Sequence, residues 1–117
     1  MEIAIRNELI DTYYSAVDDA DFDRMLTAFT EDVEYLYPGE EPMHGHGAVR
    51  TFFEERRQTK NTTHDVFRRV HDDTATVCEG TITGQMGEDS LDGAYVGVFE
   101  FDDDAGRISY VGVYTRL

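Results

Sequence analysis

Cysteine is nearly absent from this chain. The single thiol, Cys78, excludes an internal disulfide. In the strand-like run TATVCEG it reads as a small core residue rather than a nucleophile, because nothing near it would lower its pKa. Lysine is as scarce: nine of the ten basic residues are arginine, Lys60 is the sole lysine, and 25 residues are acidic. The net charge of −15 repels phosphate backbones and anionic lipid surfaces, which argues against nucleic-acid and membrane partners. No run of five or more acids marks a disordered tail. An acid-rich, lysine-poor surface of this kind resembles proteins of salt-loving cytoplasms, where counter-ions screen the self-repulsion.

Long apolar runs are missing as well. The opening MEIAIRNELIDTYYSAV carries charges where a signal peptide would be apolar, and nothing approaches the length of a membrane span, so a cytoplasmic location is expected. There is no repeat, low-complexity tract or linker-like shift in composition. Residues 1–117 are therefore expected to form a single domain, and 40% apolar and 12% aromatic residues suffice for a core.

The patterns that are present divide the chain in two. Ile5, Leu9, Ile10, Tyr13, Tyr14 and Val17 form the stripe of a first amphipathic helix. Asp21 can cap a second, with Phe22, Met25, Leu26 and Phe29 at helical spacing. Alternation then takes over: Val33, Tyr35 and Tyr37 point one way, Glu34 and Leu36 the other, until Pro38-Gly39 ends the strand. The loop PGEEPMHGHG leads to a third helix, Ala48 to about Arg57, with Val49, Phe52 and Phe53 inward. From there the chain reads as strands. THDVFRRVH ends at a turn at Asp72-Asp73 and TATVCEGTITGQM follows. GEDSLDG reads as a loop before AYVGVFEF, DDDAG as a hairpin, and RISYVGVYTRL as the last strand. The order α-α-β-α-β-β-β-β implies an α+β domain in which a strongly curved antiparallel sheet packs on three N-terminal helices. Glycines within the strands fit the bending, and a bent sheet closed by helices makes a cone with an interior.

In this order and spacing, DFDRMLTAFTEDVEYLYP resembles the helix-strand signature of the nuclear-transport-factor-2-like superfamily, and GHGAVRTFFEE its glycine-led third helix. That superfamily includes ketosteroid isomerases and SnoaL-like polyketide cyclases, and the resemblance covers nearly the whole chain. It implies the cone and is far less specific for activity, since the fold hosts isomerases, dehydratases, cyclases, hydrolases and plain binding modules. Of the isomerase groups, the oxyanion-binding tyrosine of the first helix falls at Tyr13. The base carboxylate before a proline falls at Tyr37, and the second oxyanion donor falls at Gly97. With two of three groups missing, steroid isomerisation by that mechanism is rejected. The resemblance at Thr63-His64 is instead to SnoaL-like dehydratases, which place a histidine early in the second strand, facing the cavity.

The resulting expectation is an apolar pocket lined by Tyr13, Phe29, Tyr37, Phe53, His64, Tyr95 and Phe99, with His46 at its mouth. A one-residue register error would exchange Tyr95 and Phe99 for Val96 and Val98. No cofactor and no metal are expected: His44 and His46 with Glu40 and Glu41 are two histidines in a glycine-flanked loop, weak grounds for a fixed four-ligand site. Arg56-Arg57 and Arg68-Arg69 read as partners of the surplus acids, with steering of an acidic ligand as the alternative.

Two functions stay open. One is a cofactor-free lyase or isomerase that moves a proton next to a carbonyl on a small hydrophobic substrate. His64 would be its acid/base, and Tyr13 and Tyr37 its polarising donors. The other is a non-catalytic ligand-binding or dimerisation module. A carboxylate beside His64 would separate them, and the sequence offers only Asp92, in the loop before the penultimate strand. Tyr110, Val111, Val113 and Tyr114 put apolar groups on both faces of the last strand, so a homodimer through the outer face of the sheet is expected.

Overall fold

The stripe of the first segment winds into α1 (Ile3–Asp18), with Ile10, Tyr13, Tyr14 and Val17 buried. Ile5 is 44% exposed, and Arg6 is buried in its place. The Arg6 guanidinium donates to the carbonyls of Asp72, Asp73 and Ala75 at 2.8 to 3.0 Å, tying the helix to the Asp72-Asp73 turn. The structure, a computed structural model, describes all residues from Met1 to Leu117. The short α2 (Phe22–Thr27) is capped as its sequence predicts, by Asp21 accepting from the Arg24 N–H at 3.2 Å.

Phe29 does not extend the stripe of α2; it opens β1 (Phe29–Leu36) and is fully buried. A two-residue strand, β2 (Met43–His44), lies inside the expected loop and pairs with β1. The third helix starts earlier than its apolar pattern suggests, as α3 (Gly45–Thr51), and continues as a π-helical turn over Phe52–Arg56. The wider turn buries two successive aromatics, Phe52 and Phe53.

The rest is an antiparallel meander of β3 (Thr59–His71), β4 (Ala75–Met86), β5 (Asp89–Asp102) and β6 (Arg107–Arg116). GEDSLDG is not a loop, because Met86 pairs with Asp89 and the turn needs only Gly87-Glu88, with Gly87 at φ 61°. Asp92 is consequently an exposed strand residue opposite Thr83, on the face of the sheet away from inward-turned His64. β1 then adds to β6 in parallel, giving a six-stranded mixed sheet in the order β2-β1-β6-β5-β4-β3. Register shifts within β3 and at the β5–β6 and β1–β6 pairs mark the irregularities at which the sheet bends around the helices.

The inner face carries Thr62, His64, Cys78, Ile82, Tyr95, Phe99 and Val111, packed against α1 and β1. The register of β5 is the one expected, with Tyr95 and Phe99 buried and Val96 and Val98 on the other face. On the outer face Val70, Val77, Val98 and Leu36 lie in one lateral row with Gly112. Tyr114, 55% exposed, extends that apolar surface opposite Val96. No helix is long and apolar enough to cross a membrane.

Candidate functional site

Alternation along β3 turns Thr62 and His64 inward and Thr63 and Asp65 outward. The inward pair meets the last residue of α1. His64 Nδ1 lies 2.5 Å from Asp18 Oδ1, the His64 backbone N–H donates to Asp18 Oδ2 at 2.8 Å, and the Thr62 hydroxyl donates to Oδ1 at 2.9 Å. Burial opposes the charge on Asp18. The hydrogen bonds from the His64 ring, the His64 backbone and Thr62, with the imidazole's charge, outweigh it and hold the carboxyl below its ordinary range. An ionised carboxylate only accepts, so Nδ1 carries a proton whether the ring is charged or neutral, and Nε2 is the nitrogen left to exchange one.

The imidazole is fixed by packing as well. Its centroid lies 5.1 Å from those of both Tyr14 and Tyr95. Those tyrosines rest on glycines: a Cβ at Gly97 would stand 2.5 Å from the Tyr14 hydroxyl, and one at Gly80 would stand 2.7 Å from that of Tyr95. Gly97 is therefore glycine because Tyr14 occupies the space a side chain would need. The Tyr95 hydroxyl is buried without a protein partner, and burial pushes its phenol above the ordinary value.

Across from the imidazole, the Tyr13 and Tyr35 hydroxyls are 2.5 Å apart. Tyr13 is thus bonded to Tyr35 rather than joined with Tyr37. Burial raises both phenols, so both stay protonated: one donates to the other, and the second proton remains for a third group. These groups surround a cavity of about 30 Å³, lined also by Tyr37, Phe53 and Arg57. A water needs roughly 10–15 Å³, so the cone is nearly filled, with room for about two waters. Tyr37 and Thr115 line both this chamber and an outer cavity of about 240 Å³ bounded by Pro38, Arg56 and Met86. A separate surface cleft reaches the far side of the dyad, between Asp11, Ser15, Asp18 and Arg69.

Tyr13, Tyr37, Phe53, His64 and Tyr95 all line this one cavity. Phe29 and Phe99 do not line it. Both are fully buried in the layer behind, against Tyr13, with ring centroids 5.5 and 5.7 Å away. Nor does His46, whose Nε2 lies 3.2 Å from the Phe29 carbonyl, while His44 turns away towards Glu34. Sequence reasoning missed Asp18 and Tyr35, and it reached Arg57 only within the Arg56-Arg57 pair, read first as a partner of the surplus acids. Asp18 follows Tyr14 by four residues on α1, a spacing that places both beside whatever packs on that face.

The profile of the SnoaL-like domain family matches residues 10–111, a span that holds every residue of the cavity wall except Thr115 and Val113. The chain belongs to the SnoaL-like domain family. No curated protein matches the sequence. Among solved structures, this SnoaL-like chain is similar to a nuclear-transport-factor-2-like protein of unknown function from Burkholderia pseudomallei. That pair shares 18% identity with a TM-score of 0.86, covering 99% of this chain and 92% of that one. A candidate polyketide cyclase from Xanthomonas campestris gives 20% identity and a TM-score of 0.82, covering 95% and 90%. An LEH-like epoxide hydrolase from M. tuberculosis gives 24% and 0.76, covering 93% and 80%. At these identities the likeness is one of fold. The chemistry of this SnoaL-like domain has to be argued from its own cavity.

Proposed function

We propose that the cavity is an acid/base site of a cofactor-free lyase or isomerase acting on a small hydrophobic carbonyl compound. The observation that supports this reading most is the His64–Asp18 bond, because it joins the histidine that lines the cavity to a carboxylate that fixes its tautomer. In the proposed step, Nε2 takes a proton from the carbon next to the carbonyl, and the carbonyl oxygen gains the negative charge. The free proton of the Tyr13–Tyr35 pair and the Tyr37 hydroxyl face that oxygen and stabilise it. The imidazolium, balanced by Asp18, then returns the proton, either to another carbon or to a departing hydroxyl that leaves as water. Relatives described as a polyketide cyclase candidate and an epoxide hydrolase are consistent with a small-molecule site in this fold.

The small volume of the inner chamber favours a second reading, a binding module without turnover. A substrate larger than a few atoms has to displace Tyr37 or extend past it into the outer cavity. Hydrogen–deuterium exchange at the α-carbon of simple ketones such as 2-tetralone, followed by NMR in D₂O, separates the two. The enzyme reading expects acceleration that His64→Gln lowers by about 10²–10⁴-fold. No acceleration, or an unchanged rate in the variant, leaves the binding module.

For assembly we propose a two-fold homodimer through the outer face of the sheet, where the valine row and Tyr114 would be covered.

A further inference from the structure

Among the nine arginines, Arg24, Arg50, Arg56, Arg68 and Arg69 each reach a carboxylate. Arg6 and Arg57, 4% and 9% exposed, reach none; three backbone carbonyls hold Arg6, whereas the Arg57 guanidinium has neither carbonyl nor carboxylate. For Arg57 the contacts are fewer. Its guanidinium lies 5.2 Å above the Phe53 ring, one Nη donates to the Thr62 hydroxyl at 3.3 Å, and Nε has no partner in the protein. Thr62 in turn donates to Asp18, so Arg57 is linked to that carboxylate only through a hydroxyl, and the carboxylate is already shared with His64. Buried cations are ordinarily paired, and a chain with 25 acids has no shortage of partners. Arg57 is instead set into the wall of the chamber, beside Tyr13 and Tyr35.

Resting on the acid/base reading, we propose that Arg57 binds an anionic oxygen of the ligand, so that the substrate class is an organic acid, a carboxylate or an ionised enol, rather than a neutral apolar molecule. The planar fork presents paired N–H donors to such an oxygen. A chamber of about 30 Å³ accepts an oxyanion head group, while the remainder of the molecule lies beyond Tyr37 in the outer cavity. The overall field of −15 turns anions away, so a buried cation selects the acid whose shape delivers its oxygen to the guanidinium.

The test is binding, read without turnover, on the full chain at low chloride. Benzoate probes the carboxylate and ionised cyclohexane-1,3-dione the enolate; benzamide and cyclohexanone are the neutral controls. At least one anion should bind about tenfold or more tighter than its control, as expected for a hydrogen bond to a charged group. It should also shift the Arg57 Nε–Hε resonance in the unmutated protein, a readout that needs no variant to fold. Arg57→Met should abolish the preference, and Arg57→Lys should retain part of it. Equal binding of anion and control, no binding of either anion, or an unmoved Arg57 resonance overturns the proposal. His64→Gln separates the two claims: lost exchange catalysis with anion binding intact supports both. Benzoate or enolate binding in a protein without catalysis removes only the acid/base reading.

Discussion

Removing the Asp18 carboxylate is the sharpest perturbation of this site. Asp18→Ala deprives three donors of their acceptor: the His64 ring, the His64 backbone N–H and the Thr62 hydroxyl. A hydrogen bond to a charged group contributes about 1.5–3 kcal/mol net when buried. Here the Asp18 side chain is 20% exposed and that of His64 10%. Water entering through the adjacent cleft can replace part of the loss, so the summed cost is set at about 3 kcal/mol. A domain of this size unfolds with an entropy that converts 1 kcal/mol into about 4 °C, giving a fall in Tm of about 12 °C. The substitution also relieves one negative charge, a small effect of opposite sign that high potassium chloride screens out. Asp18→Asn keeps one acceptor and should lose about half as much. The pH dependence follows from the lowered carboxyl: the unfolded chain takes up its proton first, at the ordinary aspartate value. The stabilisation is therefore complete above that value and declines as pH falls towards the folded one. Thermal melts by circular dichroism at neutral pH and below pH 4 measure both effects. A loss under about 3 °C, with an acid limb identical to the unmutated protein, would refute the claim that this network is integral to the fold.

Tyr35→Phe should cost about 1 kcal/mol, and a double-mutant cycle with Tyr13→Phe should return a coupling of similar size; zero coupling would mean that the hydroxyls do not depend on each other. Sedimentation at high salt should give a dimer, and a second variant, Val98→Glu on the outer face, should give a monomer; a monomeric unmutated protein refutes the assembly. With 15 excess negative charges, Tm should climb steadily from low to molar potassium chloride, and a flat or falling trend removes the halophilic interpretation.

The parts of this molecule that were legible in its sequence are those written in periodicity. The α1 stripe, the Asp21 cap and the alternation along β5 follow from spacing, whereas the inward turn of His64 was implied by the family resemblance. Depth within a face was not legible. Tyr35 and Tyr37 share one side of β1, and nothing local says that the first is fully buried while the second only borders the cavity. Asp18 was hidden by its numbers, since one carboxylate among 25 acids reads as surface charge until β3 is laid beside α1. Phe29 and Phe99 would reach the wall, and His46 the mouth, only of a hollow cone; with Tyr13, Tyr35 and Phe53 filling it, a second layer of aromatics is pushed behind the first. GEDSLDG carries enough turn-forming residues for a loop, yet only Gly87 is used as one.

The parallel pairing of β1 with β6 also dictates an order in time. Phe29 must wait for Ile108, Asp18 for a histidine 46 residues later, and Arg6 for a threonine 70 residues later. Loops of that length close slowly relative to hairpins, so the β3–β6 meander can form before the N-terminal layer docks. While the chain is being synthesised, α1 and β1 stand with Tyr13, Tyr14 and Tyr35 uncovered until β6 has emerged. The cavity is then the last feature to come into being, made in the same event that buries the aromatics of its two walls. A folding intermediate of this protein would have a sheet and no site, and it would be the species most exposed to aggregation.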